Sequence, residues 1–158
     1  MDQVFISSPV GTLKLSGTAQ GLVSVQFVDD FNASTPNAIP PVLQDAVIQL
    51  EEYFAKKRTV FNLKLVPQGT TFQQTVWQQL QEIPFGKTQS YLQMANKLGN
   101  PKVIRAAASA NGKNPIAIII PCHRVIGADG SLTGYAGGLN RKKWLLNHES
   151  PVAQQSLF

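Results

Sequence analysis

A single cysteine stands where the sequence changes abruptly from apolar to charged. Cys122 follows the apolar run 116–120 and precedes His123 and Arg124. A thiol is mostly protonated at neutral pH, so a reactive cysteine needs an imidazole, a cation or a helix N-terminus beside it. His123 and Arg124 provide the first two, and the pattern predicts an activated nucleophile. A buried free cysteine is often only a small apolar side chain, and this structural alternative stays open.

A carboxylate at the end of a predicted helix is the candidate partner of His123. The helix covers residues 139–149 and ends at His148 and Glu149; Glu149 can orient His123 or lie on the surface. Because side chains of adjacent residues seldom touch, His123 needs a bridging water to reach Cys122. The competing interpretation is a metal site formed by Cys122, His123, His148 and Glu149. It is disfavoured, because the chain has no CxxC or HxxxH spacing.

Two short helices joined by a glycine-containing turn are predicted over residues 90–110. A capping box opens the first helix at Ser90, Gly99 ends it, and Pro101 suits the first turn of the second. This spacing is typical of a helix-turn-helix. Over 103–110 the second helix carries mainly small side chains and one charge, Arg105, so it can lie close to a nucleic-acid groove or pack against another helix.

A glycine-rich loop is expected over residues 127–138, with Tyr135 among its glycines. The backbone N–H and C=O groups of such a loop can surround a flat ligand. A flexible wing without a ligand is the alternative. Phosphate binding is disfavoured, because the loop lacks the Walker pattern.

The first part of the chain predicts a small α/β domain. Three short strands over 5–7, 13–17 and 22–27 are joined by tight turns and form an antiparallel meander. A polar loop over 29–41 leads to a helix over 42–54, in which apolar residues recur at helical spacing.

The boundary to a helical second domain is predicted at residues 66–69, where proline and glycine interrupt the pattern. We expect a further strand just before it, over 61–65, and a helix just after it, with a capping box at Thr71 and Gln74. The apolar face of that helix consists of Phe72, Val76, Leu80 and Ile83.

The predicted fold class is therefore α/β (α+β). It comprises an N-terminal domain over 1–67 with a small three-stranded antiparallel sheet and a helix, a mostly helical C-terminal domain over 70–150 with the helix-turn-helix, and a tail over 151–158.

Composition narrows the class of protein. The chain has 158 residues, of which 43% are hydrophobic and 15% charged, so a packed core is expected rather than disorder. Its longest apolar run is too short to span a bilayer, and one cysteine excludes an internal disulfide framework. No secretory signal is visible, and we expect a cytoplasmic, intracellular protein without membrane contact.

The net charge of +5 is unevenly distributed. Residues 1–75 hold five Lys/Arg and six Asp/Glu, a net of −1, whereas residues 76–149 hold nine and three, a net of +6. A basic second half is what a surface for a polyanion such as nucleic acid requires. A merely solvated basic surface explains the same numbers.

Three runs of residues together resemble the O6-alkylguanine-DNA alkyltransferases, also called methylated-DNA–protein-cysteine methyltransferases. They are residues 120–126 (IPCHRVI), 134–139 (GYAGGL) and 144–149 (WLLNHE), and Ser90-Tyr91, Arg105 and Asn114-Pro115 match at the family's spacing. The resemblance is strong over 70–149 and weaker over 1–65. It implies a ribonuclease H-like N-terminal domain and a winged-helix-like C-terminal domain.

The resemblance implies an irreversible reaction at Cys122, which would take the alkyl group from O6 of guanine in DNA and keep it as a thioether, once per molecule. His123 would take the thiol proton through a water, and Glu149 would orient His123. Tyr91 would donate a hydrogen bond to N3 of the guanine, and Asn114 would brace the backbone of the active site.

Base flipping into a pocket is also implied, with the recognition helix in the minor groove and Arg105 in the gap left by the nucleotide. Backbone groups of Cys122, Val125 and Ala136 would bind the edge of the guanine. The implied DNA contacts are Tyr91, Arg105, Ala106, Ala107, Ser109 and Arg124. The implied alkylguanine pocket consists of Tyr91, Ala117, Val125, Tyr135, Ala136 and Gly137.

Two residues depart from the pattern of some family members. Ala136 stands where some have serine, so one hydroxyl is missing from the pocket. Ala117 stands where others have proline, which predicts a weak reaction with bulky benzyl-type inhibitors. With one cysteine we expect neither an N-terminal zinc site nor the metal-activated domain of the adaptive-response proteins.

The expected partner is double-stranded DNA that contains O6-alkylguanine, with O4-alkylthymine as a further substrate, and the expected state is a monomer. We expect no metal and no cofactor, because the thiol itself receives the alkyl group. Three alternatives remain: an alkyltransferase-like protein that binds lesions and usually has tryptophan in place of the cysteine, a cysteine hydrolase of small esters or amides, and a plain helix-turn-helix DNA binder.

Overall fold

The structure, a computed structural model, describes residues 1–29 and 38–151. The chain divides into two compact units, one that covers Met1–Gln68 with Pro115–Ala117 and one that covers Gly69–Asn114 and continues from Ile118. Most of the loop expected over 29–41, and the tail expected over 151–158 beyond its first residue, lie outside the described residues.

The first unit is built on three antiparallel strands in sequence order, β1 (Asp2–Ser8), β2 (Gly11–Thr18) and β3 (Gly21–Val28). This confirms the predicted meander. Alternate side chains of a strand point to opposite faces, and one face of this sheet is buried through Val4, Ile6, Leu13, Leu15, Leu22 and Val25.

Helix α1 (Pro41–Phe54) supplies the other half of that core. Proline at its first position costs nothing, because the first turn of a helix has no internal partner for its N–H groups. Leu43, Val47, Leu50 and Tyr53 recur at helical spacing and are fully buried. The sequence pattern predicted this helix to within one residue.

The strand expected over 61–65 is absent from the structure. Leu65 forms one isolated bridge with Leu22, whose N–H donates to Lys64 O (2.9 Å) and whose carbonyl accepts from Val66 N (2.8 Å). The segment approaches β3 only where β3 begins, at Gly21. A Cβ at Gly21 would lie 2.6 Å from Lys64 O, so only glycine permits this contact.

The second unit contains four helices within the described residues: α2 (Thr71–Leu80), α3 (Tyr91–Lys97), α4 (Ile104–Gly112) and α5 (Leu139–Glu149). Short 3₁₀ turns lie at Pro101–Val103 and Cys122–Arg124, and strands β4 (Gln89–Ser90) and β5 (Val125–Ile126) pair in parallel. A small antiparallel sheet followed by a helical domain confirms the α/β class.

The start of α2 differs by one residue from the prediction. The capping box joins Thr70 and Gln73 rather than Thr71 and Gln74. Val76, Leu80 and Ile83 are buried as predicted, but Phe72 is 37% exposed and does not belong to the core. Trp77 is buried instead, and its Nε1 donates to Ala110 O at 2.8 Å. This bond fastens α2 to α4.

The predicted helix-turn-helix corresponds to α3, the turn and α4. The expected capping box at Ser90 and Gln93 is present, and Gly99 adopts φ +93, a left-handed conformation that glycine adopts without strain. Helix α4 continues to Gly112, two residues beyond its expected end. Met94 of α3 and Ala107 and Ala110 of α4 are buried in the core of this unit.

Within residues 1–29 and 38–151, no helix has the length and apolar character needed to cross a membrane.

Candidate active site

Cys122 lies at the start of a 3₁₀ turn that follows an apolar buried run. Its N–H donates to Ile120 O (2.8 Å), and its residue is 6% exposed. Ile118, four residues earlier, is fully buried and has φ +71. A β-branched residue in the left-handed region is strained, so the surrounding packing must hold this stretch of backbone in place.

His123 and Glu149 lie together, as the resemblance implied. Nε2 of His123 donates to Oε2 of Glu149 at 2.7 Å, and both side chains are buried. A carboxylate only accepts, so this bond places a ring hydrogen on Nε2, and Nδ1 is the nitrogen that can accept a proton. Nδ1 has no hydrogen-bond partner within the described part of the chain.

Arg124 is buried and its guanidinium points inward, which contradicts the prediction that its side chain contacts DNA. Its Nε donates to Oε1 of Glu149 (2.7 Å) and its Nη2 to Oε2 (3.1 Å), while Nη1 donates to Ile83 O (2.6 Å). A guanidinium matches a carboxylate in this two-point geometry, and burial strengthens the attraction. The charge of Arg124 therefore holds Glu149 and is not available to a phosphate.

Glu149 stays ionised despite its burial. Burial alone would raise its pKa, but the charge and hydrogen bond of His123 and those of Arg124 outweigh this and hold the pKa of Glu149 well below its usual range. A permanently charged carboxylate at the C-terminal end of α5 can accept two donors at once.

The sulfur of Cys122 is not a standing thiolate. Burial raises the pKa of Cys122, and a hydrogen bond from Asn114 and the charge of Lys142 offset this only in part. The prediction that Arg124 activates the thiol fails for the reason given above, since that cation pairs with Glu149. A thiol in this environment needs a base at the moment of reaction.

Asn114 lies where the resemblance places a brace. Its Nδ2 donates to Ile120 O at 2.7 Å, and its side chain also bonds to Cys122. One amide therefore fixes the backbone two residues before the cysteine and partly stabilises the thiolate.

Lys142 is a site residue that the sequence analysis missed. It is fully buried on α5, where its Nζ donates to Val125 O (2.7 Å) and to Thr133 O (2.8 Å). Tyr91 Oη donates to the same Thr133 carbonyl at 3.0 Å. The ammonium thus fastens the glycine-rich loop to the strand that follows Cys122. In the sequence, Lys142 stands between Arg141 and Lys143, a pattern that is typical of a charged surface segment.

A cavity of about 520 Å³ opens beside this centre, between α4 and the glycine-rich loop. It is lined by Tyr91, Ile104, Arg105, Ala108, Asn111, Gly112, Thr133, Gly134 and Tyr135. Ligand pockets in proteins commonly have this size. Asn111 bonds to the carbonyl of Cys122, and Tyr91 and Tyr135 interact electrostatically with Cys122, so the cavity and the thiol are neighbours.

Two of the six predicted pocket residues, Tyr91 and Tyr135, line that cavity. Ala136 and Gly137 lie farther along the same loop, and Val125 is buried with its carbonyl bonded to Lys142. Ala117 belongs to the first unit, where its N–H donates to Val25 O at 3.0 Å.

The predicted DNA contacts on α4 separate by face. Arg105, Ala106 and Ser109 are exposed, and Arg105 also lines the cavity. Ala107 is 0% exposed, so its side chain cannot contact DNA, and that prediction is wrong. Helical periodicity puts this residue on the same side of α4 as Ala110 and Asn111, which are buried too.

The alternative of a metal site lacks a ligand cluster: in the part of the chain that the structure describes, no three His, Cys, Asp or Glu side chains are grouped to hold an ion. His148 stacks on Trp144, with ring centroids 4.7 Å apart.

The second unit combines a helix-turn-helix that carries an exposed arginine, a cavity beside that motif, and a buried cysteine. The histidine that follows the cysteine pairs with a carboxylate. Together these features define a DNA-binding protein with a cysteine nucleophile. Residues 71–151 match the family model of the 6-O-methylguanine DNA methyltransferase DNA binding domain, and residues 3–67 match that of the ribonuclease-like domain.

Relatives cover nearly the whole chain. The methylated-DNA–protein-cysteine methyltransferase of Methanosarcina acetivorans is 46% identical over 153 residues, which are 94% of this chain and 98% of that protein. That of Mycobacterium tuberculosis is 46% identical over 157 residues, 96% and 94% of the two chains. The crystal structure of M. tuberculosis OGT in complex with DNA matches with a TM-score of 0.83 and 46% identity, over 94% of each chain. The chain belongs to the 6-O-methylguanine DNA methyltransferase family.

Proposed function

We propose that this protein repairs DNA by moving the alkyl group of O6-alkylguanine onto its own Cys122, once per molecule. The observation that carries the proposal is the cavity beside α4, whose lining residues contact or electrostatically influence the one cysteine of the chain. A flipped purine needs such a pocket next to a DNA-binding helix, because O6 cannot be attacked in line within the stack.

The chemistry balances without a cofactor. The thiol of Cys122 gives its proton to Nδ1 of His123 through a water, and the sulfur attacks the alkyl carbon from the side opposite O6. The S–C bond forms as the C–O6 bond breaks, the electron pair leaves with the guanine, and the guanine takes up a proton. A thioether is a poor leaving group, so the protein is consumed.

The site residues divide this work among them. Glu149 fixes the ring of His123 and stabilises the imidazolium that forms. Burial raises the pKa of Tyr91, so its hydroxyl stays protonated. In the proposed complex the hydroxyl turns its one hydrogen from Thr133 O, to which it donates in this structure, to N3 of the departing guanine. Asn114 holds the backbone that carries the sulfur.

DNA binding is assigned to the exposed face of α4. Arg105 fills the space of the flipped nucleotide, with Ala106 and Ser109 against the minor groove. Val125, Ala136 and Gly137 are proposed to join the pocket in the DNA-bound state. We further propose that the protein acts as a monomer, in the cytoplasm, where a free thiol persists, and that it also accepts O4-alkylthymine.

The test uses a duplex that carries one O6-methylguanine. Intact-mass analysis after incubation with excess duplex should show one methyl group added per protein, and peptide mapping should place it on Cys122. Cys122→Ser should gain nothing while retaining the fold and DNA binding.

Other outcomes identify the alternatives. Binding of the duplex with no gain in mass indicates a lesion binder. Repeated turnover of a small ester, with no effect of DNA, indicates a hydrolase. Either result overturns the proposal.

A further inference from the structure

Asn111 occupies a position that the reaction scheme does not use. It lies near the end of α4, is 3% exposed, and lines the cavity beside Cys122. Apart from Ile104 and Arg105, the rest of that helix is made of small side chains. A buried asparagine among them is costly unless its amide is used.

Only one side of the amide is used in this structure. Nδ2 of Asn111 faces the carbonyl of Cys122, with the two atoms 3.4 Å apart. The opposite orientation would bring two acceptors together, so this contact fixes which atom is Oδ1. Oδ1 is buried and has no hydrogen-bond partner among residues 1–29 and 38–151. The torsion about Cβ–Cγ of asparagine is soft, so Oδ1 can turn toward an entering base at small cost.

The bases that enter the cavity differ in the donors they present. O6-alkylguanine has no hydrogen on N1, because alkylation fixes the enol form, and N3 and N7 are acceptors. Its only base N–H donors are those of the 2-amino group. O6-alkylhypoxanthine lacks this group, and O4-alkylthymine presents no N–H on its pairing edge. A free acceptor in the pocket therefore distinguishes guanine from the other two.

We infer that Asn111 is a specificity-determining residue, whose Oδ1 accepts a hydrogen bond from the 2-amino group of the flipped O6-alkylguanine. The inference rests on the proposed function and adds to it a basis for preference among alkylated bases. The contact forms beside the carbonyl of Cys122, so it also fixes the base next to the sulfur.

The experiment compares three duplexes of one sequence, which contain O6-methylguanine, O6-methylhypoxanthine or O4-methylthymine. Transfer rates are measured for the wild-type protein, for Asn111→Leu, which keeps the size of the side chain without its polar atoms, and for Asn111→Ala. Both variants should react with O6-methylguanine about three- to tenfold more slowly, as expected for one lost hydrogen bond. Their rates with the other two bases should change less than about twofold.

The result is read as the ratio of the transfer rates for guanine and hypoxanthine, because this ratio does not depend on how much of the protein is folded. Each preparation meets all three duplexes, so a smaller active fraction lowers every rate equally and leaves the guanine-to-hypoxanthine ratio unchanged. Asn140→Ala, at an exposed asparagine of α5, is the matched control and should keep the wild-type ratio. The inference is overturned if the ratio in both Asn111 variants equals that of the wild type, whether the rates fall together or not at all. Failure of the wild type to transfer from any duplex overturns the proposed function itself.

Discussion

At Cys122, six per cent exposed, burial raises the pKa of the thiol, and a hydrogen bond from Asn114 and the charge of Lys142 lower it again in part. Protonated sulfur is unreactive toward alkyl groups, so the resting protein is protected against indiscriminate alkylation. In the reaction that we propose, His123, held by Glu149, supplies a base when the substrate is in place. Reactivity is thus coupled to the bound lesion rather than stored in the free thiol.

The effect of the Lys142 charge on the pKa of Cys122 can be tested by substitution. In Lys142→Met the buried ammonium is lost, the pKa of Cys122 rises further, and the thiolate fraction falls. We expect the rate of alkylation by iodoacetamide to fall by up to about tenfold near neutral pH. Burial lowers the pKa of Lys142 to about 8, so the difference should shrink above that pH, where the wild-type lysine also loses its charge.

The measurement is a pH–rate profile of thiol modification followed by mass spectrometry. Lys143→Met removes an exposed cation from the next position of α5 and should leave the profile unchanged. Superimposable profiles for wild type and Lys142→Met would show that this charge does not act on the sulfur.

Glu149 should make stability depend on acid. Its pKa is held below the usual range in the folded state, so it stabilises the fold above the unfolded-state pKa of roughly 4.3. This stabilisation should be lost as the pH falls below that value, by up to roughly 1.4 kcal/mol per pH unit. Urea unfolding between about pH 3 and pH 7 gives the slope, which should be smaller in Glu149→Gln.

The control for that slope is Glu82→Gln, at an exposed carboxylate. Glu149→Gln should also cost roughly 3 kcal/mol at neutral pH, because it leaves the buried Arg124 without its full partner. An acid slope identical in Glu149→Gln and wild type would contradict the argument.

The sequence was sufficient to predict that His123 and Glu149 pair, because they carry chemistry that few residue types can supply, and the structure shows this contact. The role of Cys122 as the nucleophile stays a prediction. The sequence was not sufficient for Arg124 and Lys142. Both are cations in charged stretches, and only the three-dimensional structure shows that each is buried against oxygen acceptors. Burial of a charge depends on its partners, which lie 25 and 17 residues away for these two.

Among the elements, helices were predicted more closely than strands. Helix α5 has the predicted bounds, and α1 differs by one residue, because a long apolar periodicity determines a helical face. The strand expected over 61–65 fails, since a strand also needs a neighbour along its length, and here contact with β3 ends after one bridge. The left-handed backbone of Ile118 has no local sequence signal.

Trp77 connects two of these elements and allows a test. Trp77→Phe removes the bond from Nε1 to Ala110 O and leaves a void between α2 and α4. A buried acceptor without a partner and a lost ring together predict a loss of about 2–4 kcal/mol in the free energy of unfolding. Urea denaturation measures it.

Phe72 is the matched control, because it is an aromatic residue of the same helix with 37% of its surface exposed. Phe72→Leu should change the free energy of unfolding by less than about 0.5 kcal/mol, as usual for a surface site. Equal losses in the two variants would mean that the bond to Ala110 contributes little.

Over the whole molecule, net charge is distributed unevenly along the chain, as the sequence already shows. Residues 76–149 hold nine Lys/Arg against three Asp/Glu. Two of those cations, Arg124 and Lys142, are buried, and so is one of the three acids, Glu149. The exposed part of this charge is consistent with the polyanion surface that the sequence suggested, and the family match to a DNA binding domain favours that explanation over a merely solvated surface.

DNA affinity should therefore depend on salt, and repair should depend on Arg105 in a substrate-specific way. Affinity for a duplex should fall roughly tenfold or more between about 50 and about 200 mM salt, because cations are released from the phosphates on binding.

Arg105→Ala should slow methyl transfer from a duplex on the order of tenfold, since the space of the flipped base is left unfilled, and affect a single strand much less. Stopped reactions with both substrates measure this, and Lys57→Ala, an exposed cation of the first unit, should change neither rate. Equal slowing on duplex and single strand by Arg105→Ala would assign that arginine to phosphate binding alone.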